Sequence, residues 1–266
     1  MAPYHPKKRL GQNFLESEDV IRRVVELVGA SAEDTVIEIG PGRGALTLPL
    51  ARTGARVLAV EFDRDLINYL EKLTKKHANV EIINTDFLRY EPDPDAIPQF
   101  TLVGNIAYNI TSPVLEWCTR YRDRITRVVL MLQKELAARV CSKPGSRDWS
   151  PLAVFTQLHF SVRYCFDVPA GSFRPEPKVS STVITLSATD RTIETDLSSM
   201  QRVVRAAFRH RRKLLMNNLV PDTIPSASVA GEIAAELSLS DTCRAEEMPI
   251  DLFLKLTDSL VSRNIL

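Results

Sequence analysis

The sequence lacks several features typical of membrane, secreted and metal-binding proteins. In its 266 residues no window approaches 18 consecutive apolar residues, and the polar, basic segment 1–10 has no apolar stretch of the signal-peptide kind. The cysteines are few and widely spaced, and no C-x-x-C pair occurs, which argues against structural zinc and a disulfide framework; they are Cys118, Cys141, Cys165 and Cys243. We therefore expect a soluble, cytoplasmic protein with no membrane contact and no metal.

A large excess of charge of either sign is also missing. The formal net charge is +1, so the overall charge does not indicate a nucleic-acid partner. The distribution is more informative, because no acidic residue occurs between Gln201 and Val220. Basic residues recur there at three- or four-residue spacing, which predicts one shared helix face; they are Arg202, Arg205, Arg209 and Arg212, with Lys213 adjacent. Such a stripe can bind RNA phosphates, with Lys7–Arg9 adding to the field, or it can simply be a solvated face.

Short apolar strands alternate with helical patterns through the first two thirds of the chain. This alternation predicts an α/β fold with a parallel sheet covered on both faces. Two final β-rich runs, 162–168 and 180–186, have no helix between them, so we expect one to run antiparallel. From about Thr192 onward every strong pattern is helical. We therefore predict an α/β domain over residues 1–190 and a small all-α domain over 191–266, in a monomer.

A glycine-rich turn follows the first strand of the α/β pattern, in Glu38-Ile39-Gly40-Pro41-Gly42-Arg43-Gly44. Glycines at such a turn let the backbone approach a ligand closely, and Gly40 and Gly42 are the candidates here. Glu61 ends the next strand, where a carboxylate can accept hydrogen bonds from ribose hydroxyls. Both features suit NAD and S-adenosylmethionine equally, so a dehydrogenase and a methyltransferase are both open. Asp86, after the third strand, can accept a hydrogen bond from an adenine amine, or it can be a helix cap.

The segment Asn105-Ile106-Ala107-Tyr108 favours the methyltransferase. An exocyclic adenine nitrogen is a weak nucleophile, because its lone pair is delocalised into the ring. When Asn105 accepts hydrogen bonds from the N–H groups of this amine, the nitrogen lone pair is directed at a methyl donor. Stacking on Tyr108 orients the base. Phe173, at the start of a proline-stiffened loop, can offer a second stacking face, although a core position is the alternative for both aromatic residues. No general base is required, and none of the four histidines adjoins these motifs.

Taken together, these motifs resemble the ribosomal RNA adenine N6,N6-dimethyltransferases, the kasugamycin-resistance methylases. The matches span nearly the whole chain: Lys8–Leu15, Glu38–Gly44, Glu61, Asp86, Asn105–Tyr108, Phe173–Ser180 and Phe208–Lys213. The resemblance implies a Rossmann-like, S-adenosylmethionine-dependent methyltransferase domain with a helical RNA-binding tail. It implies a cofactor site lined by Asn13, Leu15, Gly40, Gly42, Glu61, Asp86 and Asn105. It also implies that Asn105, Tyr108 and Phe173 hold the target adenine.

The family modifies two adjacent adenosines in a hairpin near the 3′ end of small-subunit rRNA, so the implied partner is a pre-small ribosomal subunit. One departure from the family pattern is Ala107, where the family usually has proline, and a less preorganised loop is the expected consequence. Two alternatives stay open. One is a sister branch that methylates an adenine of large-subunit rRNA and confers antibiotic resistance, and the other is a protein that acts mainly as an RNA-binding assembly factor.

Overall fold

The computed structural model describes residues 12–266, apart from the side chain of Tyr108. The predicted basic segment Lys7–Arg9 lies outside the described residues. The chain divides into two compact units. The first, here called the sheet unit, holds residues 12–138 and His159–Thr189, and the second, the helical unit, holds Arg139–Leu158 and Asp190–Leu266. Across residues 12–266 no helix is long and apolar enough to cross a membrane.

The sheet unit is built on a mixed sheet that has seven strands within the described residues, in the order β4-β3-β2-β5-β6-β9-β7. The strands are β2 (Thr35–Ile39), β3 (Arg56–Glu61), β4 (Val80–Asn84), β5 (Phe100–Asn105), β6 (Ile125–Gln133), β7 (Phe160–Val168) and β9 (Ser181–Ala188). Strands β2 to β6 pair in parallel, whereas β9 runs antiparallel between β6 and β7. The predicted α/β fold with one antiparallel strand is confirmed.

The central strands are apolar because both faces of the sheet are covered. Ile37, Leu58 and Leu102, on β2, β3 and β5, are at most 1% exposed. Burial of each such side chain contributes about 1.5–3 kcal/mol. Helices of the sheet unit are α1 (Glu18–Val28), α2 (Thr47–Arg52), α3 (Arg64–Thr74) and α4 (Thr111–Arg120). Outside the main sheet, β1 (Phe14–Leu15) pairs antiparallel with β8 (Phe173–Arg174).

The helical unit has its own apolar core. It contains α7 (Leu197–Ala207), α8 (Leu215–Leu219), α9 (Ala227–Glu236) and α10 (Ile250–Ser262). Residues 139–158 also belong to it, although the sequence pattern placed them in the first domain. They include the end of α5 (Lys134–Val140) and most of α6 (Pro151–His159).

Trp149 explains that difference in domain membership. Its side chain is only 1% exposed, packs in the core that contains Phe253, and donates from Nε1 to the Met248 carbonyl at 3.0 Å. An apolar helix face predicts that a segment is buried, but its sequence does not say against which other segment. The helical segments after residue 190 therefore have a partner that lies some 50 residues earlier in the chain.

Candidate active site

A cavity of about 330 Å³ opens at the carboxyl ends of β2, β3 and β5 in the sheet unit. Open α/β sheets bind their ligands at this edge, and the volume falls within the roughly 300–1,000 Å³ of small-molecule sites. All the residues predicted to bind the cofactor line it, as does Phe173; they are Asn13, Leu15, Gly40, Gly42, Glu61, Asp86 and Asn105. The structure thus brings together residues that are up to 160 positions apart in sequence.

The glycine-rich turn has a backbone conformation in which residues other than glycine would be strained. Gly40 and Gly42 have φ values of 59° and 57°, in the left-handed region. A Cβ atom on Gly42 would also lie 2.9 Å from Cδ1 of Phe14. The turn is tied to the sheet by Gly40, whose N–H donates to the Val60 carbonyl at 2.9 Å. These contacts hold the turn against the wall of the cavity.

Glu61 is held by backbone donors on both of its carboxyl oxygens. Gly42 N–H donates to Oε2 at 3.1 Å, and Asp63 N–H donates to Oε1 at 2.8 Å. The side chain is only 6% exposed. Burial raises the pKa of Glu61, while these two hydrogen bonds act in the opposite direction. The carboxyl is therefore rigid at the cavity wall, where its remaining lone pairs can accept from hydroxyl groups.

Glu38 is a second buried carboxyl at the same cavity, and sequence reasoning assigned it no role. It is 2% exposed and accepts from the Thr47 hydroxyl at 2.6 Å. Burial raises the pKa of Glu38 to about 8, and the nearby charge of Glu61 adds to the effect. A signal was present in the sequence, because a glutamate in the otherwise apolar strand TVIEI is costly to bury without a function.

Asp86 and Phe62 lie on another part of the cavity wall. The Asp86 carboxylate accepts from Leu88 N–H at 3.0 Å and so caps the short turn Phe87–Arg89. Asp86 therefore caps this turn and lines the cavity at the same time. Phe62 is 61% exposed, which is unusual for a large apolar side chain, and sequence reasoning missed it. The sequence signal that could have identified Phe62 is its position directly after Glu61, at the end of a strand.

Asn105 ends β5 and is oriented by a residue from the start of the described chain. Its Nδ2 donates to the Asn13 carbonyl at 3.1 Å. The amide nitrogen is only a donor, so Oδ1 is the atom that can accept from a ligand amine, and the bond to Asn13 fixes the orientation of the amide. The next residue, Ile106, extends the sheet by donating to the Met131 carbonyl at 3.0 Å. Ala107 then has φ −62° and ψ 143°, before the turn Tyr108–Ile110.

Phe173 combines a core position with a position at the cavity. It is 1% exposed, pairs with Leu15 across β1 and β8, and packs in the core that also contains Val168. The core position is therefore observed, and stacking of Phe173 on a base stays a prediction. Tyr108, the other predicted aromatic contact, has its side chain outside the described part of the structure.

Comparison with known proteins decides the family. The family model for "Ribosomal RNA adenine dimethylase" matches residues 5–261. The chain belongs to this family. "Ribosomal RNA small subunit methyltransferase A" of Acidobacterium capsulatum is 37% identical over 262 residues, which are 97% of this chain and 92% of that protein. The protein of the same name from Geobacter metallireducens is 35% identical over 263 residues, 96% of each chain.

Two solved structures resemble this rRNA adenine dimethylase over 94% of its length. A dimethyladenosine transferase from Plasmodium falciparum superimposes with a TM-score of 0.82 at 22% identity and is covered to 98%. The 23S rRNA methyltransferase ErmE superimposes with a TM-score of 0.73 at 27% identity, and the match covers 100% of the ErmE chain. The first likeness supports the fold, and both agree with the predicted Rossmann-like methyltransferase architecture.

The adenine dimethylase uses S-adenosylmethionine, and the residues around the cavity fit this cofactor in chemical type. The glycine-rich turn leaves room beside Gly40, where a Cβ atom would meet nothing within 4 Å. The buried carboxyls of Glu38 and Glu61 suit a ligand with hydroxyl groups and positive charge. The exposed ring of Phe62 offers an apolar surface for a base.

The basic stripe of the helical unit differs from its prediction in one respect. Helix α7 ends at Ala207, so Arg209 and Arg212 lie in the following turn and do not share a helix face with Arg205. The expectation of one continuous helical stripe is therefore wrong. Phe208, the C-cap residue of the helix, packs at a ring-centroid distance of 5.9 Å from Phe253. The predicted RNA-binding residues are nevertheless all exposed; they are Arg202, Arg205, Arg209, Arg212 and Lys213.

Contacts made by neighbouring arginines change the charge pattern of this surface. Arg209 forms an ion pair with Asp222, which reduces its available charge. Arg211 donates to the Arg147 carbonyl, and this contact adds the exposed cations of the 143–147 loop to the surface. The loop is pinned by Gly145 N–H, which donates to the Glu246 carbonyl at 2.7 Å. The positive charge of the 143–147 loop was not evident from the sequence, because this loop and Arg211 are far apart in the chain.

Proposed function

We propose that this enzyme dimethylates the N6 amines of two adjacent adenosines in a hairpin near the 3′ end of small-subunit rRNA. The full-length similarity to proteins named small-subunit methyltransferase A supports this target. The observation that carries the chemistry is the Asn105 side chain, held by the Asn13 carbonyl at the cavity. The substrate is a pre-small ribosomal subunit in the cytoplasm, and the enzyme acts as a monomer in which the sheet unit carries the chemistry and the helical unit binds the RNA.

In the proposed mechanism, Asn105 Oδ1 accepts a hydrogen bond from the adenine N6 amine. This bond draws the nitrogen lone pair out of conjugation and directs it toward the cofactor. S-adenosylmethionine, when bound, supplies an electrophilic methyl group. Phe173 and Tyr108 hold the base between them and exclude water. The target base must leave its stack to reach the cavity, and the aromatic contacts offset part of that cost.

The cofactor is held by the residues that line the inner cavity. Glu61, fixed by two backbone N–H groups, accepts from the ribose hydroxyls. Asp86 accepts from the adenine amine, and Gly40 and Gly42 let the backbone approach the ligand. The set is completed by Asn13 and Leu15, beside Asn105.

The helical unit supplies phosphate contacts that position the RNA without reading its sequence. Arg205, Arg212 and Lys213 are exposed, and no ion pair involves them among the described residues. Arg209 contributes less because of its ion pair with Asp222. Arg202 adds a further exposed cation on α7.

The decisive experiment supplies the enzyme with labelled S-adenosylmethionine and immature small subunits, and then analyses the nucleosides of the rRNA. We expect N6,N6-dimethyladenosine at two adjacent positions near the 3′ end. The Asn105→Ala variant is the matched control and should leave the RNA unmethylated. Label that appears only in large-subunit rRNA would refute the proposed target and select the branch to which ErmE belongs.

A further inference from the structure

Three neighbouring cations of the helical unit lie on the turn between two helices. This turn, residues 208–214, joins α7 to α8 and includes Arg211, Arg212 and Lys213. All three side chains are exposed, and within residues 12–266 neither Arg212 nor Lys213 forms an ion pair. Because like charges repel one another, the turn needs contacts that hold its backbone in one conformation.

The carbonyl of His210 accepts two hydrogen bonds that hold the turn. Lys213 N–H donates to it at 2.9 Å, which closes the turn on itself. Nδ2 of Asn218 donates to the same oxygen at 3.0 Å, and Asn218 belongs to α8 and not to the turn. Both lone pairs of the carbonyl are then used. Asn218 therefore ties the cationic turn to the helix that follows it.

Asn218 is an unfavourable residue for its position if stability alone is considered. It is 5% exposed, and the buried apolar residues of the same helix are Leu215 and Leu219. Its Oδ1 is buried and accepts no hydrogen bond from any described residue. A buried unpaired oxygen destabilises the folded state, and leucine, which branches at the same carbon, is also the better helix former. What asparagine supplies and leucine cannot is the donor to the His210 carbonyl.

The other contacts of the turn are made by exposed side chains. At its start, Arg209 forms an ion pair with Asp222. Arg211 donates to the Arg147 carbonyl, and its Nη2 lies 3.9 Å from a carboxyl oxygen of Glu246. Ion pairs between exposed side chains contribute little to stability in water. The bond from Asn218 is shielded from solvent by the core around it, so water competes with it less.

We propose that Asn218 is a positioning residue for RNA binding, which holds the turn 208–214 in one conformation through the His210 carbonyl. The inference rests on the proposed function of the helical unit in binding RNA phosphates. Asn218 is buried, so it acts through His210 and not by contact with the RNA. A turn that is ordered in the free enzyme loses less conformational entropy when Arg212 and Lys213 contact phosphates, and the complex is tighter for that reason.

The test replaces Asn218 with leucine in the full-length enzyme and measures stability and RNA binding separately. Tm should change by no more than about 4 °C, since removal of the unpaired oxygen offsets the lost hydrogen bond. The dissociation constant for immature small subunits, from filter binding, should rise about two- to tenfold, the equivalent of one hydrogen bond. The salt slope should decrease by about 0.7–0.9 for each phosphate contact that is lost.

Steady-state kinetics separate RNA positioning from the chemistry. Asn218→Leu should raise KM for the subunits by the same factor and leave kcat nearly unchanged, because the lost free energy belongs to RNA binding. Affinity for S-adenosylmethionine should also be unchanged, since the cofactor cavity lies in the sheet unit. Met216→Leu, an apolar change on the same helix, is the control and should alter none of these quantities.

A second pair of variants loosens the same turn without a change at Asn218. His210 is exposed, and what it gives to the turn is its backbone carbonyl. His210→Gly adds backbone freedom and keeps that carbonyl, whereas His210→Ala removes the same imidazole without adding the freedom. His210→Gly should bind the subunits about two- to fivefold more weakly than His210→Ala. This comparison tests the inference even if Asn218→Leu does not fold.

A folded Asn218→Leu enzyme that binds the subunits with wild-type affinity and salt slope would overturn the inference. A large loss of stability in Asn218→Leu, together with equal affinities of His210→Gly and His210→Ala, would overturn it as well, because Asn218 would then be only structural. Failure of the proposed RNA-binding function of this unit has a different signature. In that case Arg212→Ala combined with Lys213→Ala would bind the subunits as tightly as the wild type.

Discussion

Restoring proline at position 107 should make the catalytic loop more rigid without changing its shape. Ala107 has φ −62°, within the range that the proline ring imposes. Its N–H makes no hydrogen bond among the described residues, so no bond would be lost. The preceding residue, Ile106, continues the sheet through its bond to Met131, and an extended residue is what proline requires before it.

The expected gain comes from the unfolded chain, which proline restricts. Substitution at a compatible site stabilises by about 0.4–1 kcal/mol. For a unit of this size that corresponds to an increase of about 1–4 °C in Tm. If the loop of the free, folded enzyme is restricted by a similar free energy, kcat/KM toward RNA rises about two- to fivefold. Ala107→Gly is the opposite control, because it adds freedom to the same loop.

Thermal unfolding and methyl transfer to immature small subunits measure the two effects. The order of Tm and of kcat/KM should be proline, alanine, glycine at position 107. Cofactor affinity should be equal in all three proteins. A proline variant less stable than the wild type would show that residue 107 does not have a φ compatible with proline in the native loop.

Three further perturbations test other parts of the molecule. Asn105→Ala should bind RNA normally in a filter-binding assay yet lose turnover, and measurable dimethylation would contradict the role of its amide. Arg205→Ala combined with Arg212→Ala should lower the salt slope of RNA binding by about 1.4–1.8, whereas Arg209→Ala should change it less. Burial, with the Arg122 charge, lowers the pKa of His159 to about 4. Stability should therefore fall as pH drops from 6.5 to 4, by up to about 1.4 kcal/mol per unit, and denaturant unfolding of His159→Gln should show a flatter profile.

Periodicity and local chemistry were sufficient to predict the elements of the fold. Helix α1 begins after Ser17, whose hydroxyl accepts from Val20 N–H, and it ends at Gly29; serine and glycine are common residues at these two cap positions. The alternation of strands and helices predicted the parallel sheet, because a strand covered on both faces must be apolar. The motifs Gly40–Gly44, Glu61, Asp86 and Asn105 indicated the chemistry, since each lies at or just after the end of a strand and the ends of parallel strands meet at one edge.

Tertiary structure decided what depends on contacts between distant segments. Trp149 joins the helical unit because its indole reaches Met248, and no local pattern records that partner. The basic stripe is broken because α7 ends at Ala207, where the next residue, Phe208, packs against Phe253. Glu38 shows the same limit most clearly: its residue type is plain in the sequence, but its elevated pKa arises only from burial beside Glu61, and burial is a property of the assembled chain.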